Sequence, residues 1–216
     1  MKRREFCLTT TGLASMALLS SPAAQAQGVP VEGTHYVKLS QPVPVAASGK
    51  IEVVEFFWYG CQHCFAMEPF IEPWIKKLPG DVTFRRVPAG FTPQHEFHQR
   101  VFYAMEVLGI LEAMHRRFFN AMQIDRKPMR KEEEVAAFFT ASGQDGAKVV
   151  ATMKSFGVVA KAKQAKQLGE GYRIDGVPAI GVHGRFYTTS VMAGNSHEKG
   201  LAVADYLIAQ VRKGPR

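Results

Sequence analysis

The chain has 216 residues, 46% of them hydrophobic and 21% charged, which excludes an intrinsically disordered protein and leaves ample material for one substantial core or two small ones. Its formal charge of +8 is spread along the chain rather than clustered, which argues against nucleic acid as a partner. No segment approaches the roughly 20 apolar residues of a membrane span, so no stable membrane insertion is expected.

Residues 1–26 read as a cleavable export signal: a basic start (Lys2, Arg3, Arg4), an apolar stretch from Phe6 to Leu19, then Ala24-Gln25-Ala26, with cleavage expected between Ala26 and Gln27. Arg3-Arg4-Glu5-Phe6 with Leu8 resembles a twin-arginine signal, and the general secretory route fits as well. Cys7 lies inside this segment and is lost with it. Removal takes away Lys2, Arg3, Arg4 and Glu5, so the charge falls from +8 to +6.

The mature chain divides into three blocks. In the first, His35–Leu39 suits a short edge strand, and a connection carrying Pro42 and Pro44 leads to the buried strand Ile51–Phe57. Gly60 breaks it, and Cys64–Leu78 follows with apolar residues near helical spacing, to be bent or shortened by Pro69 and Pro73. Val82–Val87 alternates as a strand should, which predicts two parallel strands with a right-handed connection.

The second block has no convincing strand. Helices are expected over Phe97–Leu108, Leu111–Met122, Lys131–Ala141, Asp145–Phe156 with Asp145 as N-cap, and Val158–Leu168. Lys161, Lys163 and Lys166 read as a solvated helix face. The third block returns to strands at Ala179–Val182 and Arg185–Thr189, joined by a two-residue turn at His183-Gly184. A final helix, capped by Asn195 or Ser196, runs to about Val211.

Cys61-Gln62-His63-Cys64 follows a buried strand and opens a helix. Unpaired N–H groups and the positive end of the helix dipole stabilise an anion there, so Cys61 is expected to favour the thiolate. His63, between the cysteines, adds a donor and a titratable positive charge. A fall of the Cys61 pKa from about 8.5 to about 5 would favour the reduced form by roughly 2.7 kcal/mol at pH 7, or about 60 mV toward a stronger oxidant. A low-pKa thiolate also leaves readily, so Cys61 is the expected nucleophile and leaving group and Cys64 the resolving thiol. Two other uses of the pair stay open: an inert disulfide, which export would preserve, and part of a zinc site. Zinc would need further ligands, and only His95 and His98 have suggestive spacing, on a helix where such a pair more often lies at the surface.

Glu55-Phe56-Phe57, then Cys61-x-His63-Cys64, then Gly176-Val177-Pro178-Ala179 and a hairpin, together resemble the DsbA-type periplasmic thiol-disulfide oxidoreductases over nearly the whole mature chain. The resemblance implies an α/β thioredoxin fold with an inserted all-helical domain. The boundaries expected are 27–92 and 170–216 for the thioredoxin-like part and 93–169 for the insertion. It also implies a cis Val177-Pro178 bond whose loop faces the cysteines and offers backbone to substrate, and a buried Glu55 that assists proton transfer near Cys64. An acid within an apolar strand should have a raised pKa, although Glu55 could equally face solvent at a sheet edge. Gln62 stands where proline is common in the family and is expected to tune the potential. Trp58 and Tyr59 are expected to line an apolar surface beside the site, with Phe91 and Met192 packed in the core.

The function this implies is a monomeric periplasmic oxidase that needs no cofactor beyond its redox-active disulfide and no metal. It would donate that disulfide to reduced exported proteins and be reoxidised by a DsbB-type membrane quinone oxidoreductase. The family is itself a known case of a depressed cysteine pKa and an oxidising potential, so resemblance and direction are not independent. The rivals are a reductase or isomerase on the same fold, and a peptide-binding holdase without redox chemistry. An isomerase is expected to carry a dimerisation domain, for which the stretch before the first core strand, residues 27–50, is expected to be too short.

Overall fold

The computed structural model describes residues 28–46 and 49–214; the export segment, its cleavage point at Ala26 and Gln27, and Cys7 lie outside them. In chain order the elements are β1 (Val37–Lys38), β2 (Ile51–Phe57), α1 (Gln62–Ile75) and β3 (Val82–Pro88). Five helices follow: α2 (Pro93–Val107), α3 (Leu111–Gln123), α4 (Glu132–Ala141), α5 (Gly146–Met153) and α6 (Phe156–Tyr172). The chain then returns to β4 (Ala179–Val182), β5 (Phe186–Thr189) and α7 (His197–Lys213).

Every residue of β2 is buried, so the strand needs neighbours on both edges and cover on both faces. The sheet order β1-β5-β4-β2-β3 supplies the neighbours: β3 runs parallel from Ile51 opposite Val82 to Phe57 opposite Pro88, and β4 lies antiparallel on the other edge. Alternation supplies the cover. Ile51 and Val53 pack with α1 and α7 through Met67, Ile71, Leu201 and Leu207, whereas Val54 and Phe56 join a second core with Phe102 and Phe118 of the helical segment. This is an α/β thioredoxin fold with helices inserted between β3 and β4. Among the described residues no helix is long and apolar enough to cross a membrane.

Several boundaries differ from expectation, and at two helix starts a local polar contact is the reason. Helix α1 starts at Gln62 rather than Cys64 because Cys61 is its N-cap, its Sγ accepting the Cys64 N–H at 3.4 Å. It continues through Pro69 and Pro73 but stops at Ile75, short of Leu78. Ser155 accepts the Val158 N–H at 3.4 Å and so opens α6 at Phe156, which ends up 90% exposed instead of closing α5. At its far end α6 runs to Tyr172, past the expected boundary at 169. Asp145 caps α5 as expected, and Ser196, not Asn195, caps α7. The three lysines of α6 are exposed, and Lys161 and Lys166 reach Glu106 and Glu96 of α2.

The β4–β5 turn is closed by the Arg185 N–H on Val182 O at 3.0 Å, with positive φ at both His183 (50°) and Gly184 (63°), so β5 begins at Phe186 rather than Arg185. A Cβ on Gly184 would lie 1.9 Å from the Val43 carbonyl oxygen, in the proline-rich strap whose Val43 N–H donates to Gly184 O at 2.7 Å. Gly184→Ala is therefore expected to cost at least about 2 kcal/mol, combining strained backbone with a backbone clash. Chemical denaturation would read this as a lower midpoint, and an unchanged midpoint would show that the strap yields freely.

Candidate active site

The end of β2 turns into α1 through Trp58-Tyr59-Gly60, and the Cys61 N–H closes that turn on Trp58 O at 2.9 Å. Cys61 is partly exposed, whereas Cys64, one turn into the helix, is 0% exposed; both are thiols. The same helix start therefore places the two sulfurs in different media. The Cys61 pKa is lowered to about 6, chiefly by the hydrogen bond from the Cys64 thiol, against some desolvation, with help from the Cys64 and His63 backbone N–H groups and the His63 charge. The Cys64 pKa is raised well above the ordinary thiol range, first by burial and then by its bond to Cys61. Gln62 and His63 are exposed on the first turn of α1.

The loop before β4 meets the cysteines from across the fold. The Val177-Pro178 bond is cis, and the Cys61 Sγ–H donates to Val177 O at 3.4 Å. Pro178 is buried and Val177 partly so. Sequence motifs far apart in the chain thus converge on one sulfur.

Glu55 is wholly buried, not at a solvated sheet edge, because β3 and β4 flank β2. Burial raises its pKa to about 7, Arg86 opposing and Glu68 adding to the rise. Parallel register sets Arg86 opposite Glu55, with Arg86 Nε 3.0 Å from Glu55 Oε2. The N–H is not aimed at the carboxylate, so neither atom has an aligned hydrogen bond and the charge pair compensates burial only in part. Arg86 also reaches Glu68 at 3.6 Å and Glu72 at 2.5 Å, and Glu68 faces His115 at 3.6 Å.

Arg86, Glu68 and His115 were not singled out from the sequence. The available signal was Arg85-Arg86 inside an alternating strand: adjacent strand residues face opposite sides, so two cations there require two acids from the neighbour. Glu52, 2.9 Å from Arg85 Nε, and Glu55 are those acids.

Other expectations need correction. Tyr59 does not line a surface: it is fully buried, its hydroxyl bonded to His115 Nδ1 at 2.8 Å. Phe91, expected in the core, is 44% exposed against His95, because it lies in the loop before α2, and Met192 is only partly buried. His98 is not a surface residue but is 1% exposed, bonded to Trp58 and Met129.

Residues 52–204 match the model of the DSBA-like thioredoxin domain. The chain belongs to that family. Curated relatives named thiol:disulfide interchange protein DsbA include that of Pseudomonas aeruginosa, 41% identical over 95% of this chain and 96% of the relative, and that of Azotobacter vinelandii, 43% identical over 83% and 84%. The crystal structure of Pseudomonas aeruginosa DsbA superposes with a TM-score of 0.80 at 42% identity, covering 84% of this chain and 94% of that one. Xylella fastidiosa DsbA gives a TM-score of 0.79 at 32% identity, covering 86% and 100%. This DsbA-family chain is accordingly a protein thiol:disulfide oxidoreductase.

Proposed function

We propose that the protein acts as a disulfide oxidase in the periplasm, delivered there by residues 1–26 and donating a Cys61–Cys64 disulfide to reduced exported proteins. The observation that carries this reading is the placement of the two thiols, a partly exposed Cys61 capping α1 and a buried Cys64 one turn on, which displaces their pKa values down and up respectively. In the first step a substrate thiolate attacks Cys61 Sγ, a mixed disulfide forms, and Cys64 leaves and takes up a proton. In the second step another substrate thiolate attacks the substrate sulfur of that mixed disulfide and releases Cys61 as a thiolate. Two electrons pass from the substrate dithiol to the cysteine pair, and the substrate gains one disulfide.

Each named residue has a part in this scheme. His63 and the helix N-terminus hold the Cys61 thiolate, Gln62 tunes the potential from the exposed turn, and Val177 and Pro178 present backbone to the extended substrate. Glu55, close to neutrality in its titration, supplies the proton for Cys64. Reoxidation falls to a membrane quinone oxidoreductase of the DsbB type. The thioredoxin-like part, up to residue 92 and again after α6, holds both motifs, and the inserted helical domain runs from 93 to the end of α6 at Tyr172 rather than to 169.

The test is equilibration with a glutathione redox series alongside thiolate absorbance. A Cys61 pKa lowered from 9.0 to about 6 favours the reduced form at pH 7 by about 1 kcal/mol after allowance for solvent screening at a partly exposed sulfur. That corresponds to about 20 mV, smaller than a pKa of about 5 would give. Titration is expected near 6, with a potential more oxidising than the roughly −270 mV of thioredoxin. A thioredoxin-like potential would point instead to the reductase.

A further inference from the structure

The turn that carries Cys61 is tied to the helical segment through Trp58. The indole Nε1–H donates to His98 Nδ1 at 2.9 Å, and His98 Nε2 lies 2.8 Å from the Met129 carbonyl at the α3–α4 connection. An indole N–H can only donate and a carbonyl can only accept, so both bonds form together only if His98 is neutral with its proton on Nε2. Burial of the ring, which pulls its pKa down to about 4, favours the same state.

Trp58 is equally constrained on the side of the redox pair. Its ring covers Gly60 so closely that a Cβ there would sit 2.3 Å from Trp58 Cζ2, and its carbonyl holds the Cys61 N–H at 2.9 Å. His95 stacks on the indole with centroids 4.0 Å apart, and Thr92 Oγ1 fixes His95 Nδ1 at 2.7 Å. Moving the indole would therefore move the peptide units that set where Cys61 begins α1. The N–H groups that stabilise its thiolate are useful only at hydrogen-bond distance.

We propose that Trp58 and His98 are positioning residues for Cys61, the Trp58–His98–Met129 chain holding its sulfur over the N–H groups that open α1. This rests on the reading of Cys61 as the reacting thiolate. Neither residue touches the reacting atoms. The helical segment thereby tunes the redox centre through one indole.

The test compares wild type, Trp58→Phe, His98→Leu and His98→Gln, each by thiolate absorbance of Cys61 against pH, by its rate of mixed-disulfide formation with glutathione, and by unfolding midpoint. Glutamine can accept the indole N–H with its carbonyl and donate to Met129 with its amide, so it is the conservative rescue. Trp58→Phe and His98→Leu are expected to raise the Cys61 midpoint by about one pH unit, whereas His98→Gln stays near wild type. The proposal is overturned if Trp58→Phe and His98→Leu titrate as wild type, even if they are less stable. Should His98→Leu fail to fold, Trp58→Phe and His98→Gln decide the matter by the same readout. Failure of the underlying reading looks different: wild type itself would titrate near 8.5.

Discussion

Cys61→Ser is expected to abolish disulfide transfer to a reduced test protein, a fall of at least about 10³-fold toward the rate of the redox buffer alone. Cys64→Ser is expected to be equally inactive as an oxidant but to accumulate a mixed disulfide between Cys61 and any oxidised protein it meets. The asymmetry follows from position. Cys61 is partly exposed, with a thiolate populated above pH about 6. Cys64 is buried and held as a thiol, so it is not the sulfur a protein substrate reaches. Removing Cys64 takes away the intramolecular thiol that would release a trapped partner. Non-reducing electrophoresis reads the trapped species and an insulin- or ribonuclease-type refolding assay reads the transfer. Retained activity in Cys61→Ser would exclude thiol chemistry and favour a peptide-binding role.

Glu55→Gln is expected to separate stability from turnover. A carboxyl raised from 4.5 to about 7 binds more protons in the native than in the unfolded state over that window, so wild-type stability falls as pH rises through it. Above it the penalty is constant. The glutamine variant lacks this fall, and at pH 8 it should be more stable than wild type by on the order of 2 kcal/mol, with the difference vanishing below the unfolded value. Arg86 would still face Glu68 and Glu72 and so keep its charge compensated. The oxidised protein is the one to measure, since a Cys61–Cys64 disulfide removes both thiol titrations. In turnover the variant should be slower by about 10²-fold at the step that protonates Cys64, the size of one lost general acid. A variant destabilised at pH 8, or as fast as wild type, would show that Glu55 is a structural partner of Arg86 and no more.

The order of elements and the helix that opens at Cys61 were legible in the sequence because each depends on neighbours in the chain. The hydrophobic period names strand or helix, and Cys61 at the N-cap acts on an N–H three residues away. Glu55 was legible as a candidate, but its burial only as what the family resemblance implied, because the residues alone do not show that β4 closes the far edge of β2. Tyr59, Phe91 and His98 were misplaced for a related reason: their periodicity marks an apolar or amphipathic element but not which other element covers it.

What the sequence determined by itself, then, was where a thiolate could be stabilised, since a helix start carries its own electrostatics. What only the tertiary structure decided was how that thiolate is surrounded. Val177 O reaches Cys61 across 116 positions, His115 reaches Tyr59 across 56, and His98 reaches Trp58 across 40. Such contacts arise when separate apolar faces bury against one another and leave their polar groups to find partners in the shared interior, and no local pattern encodes which groups will meet.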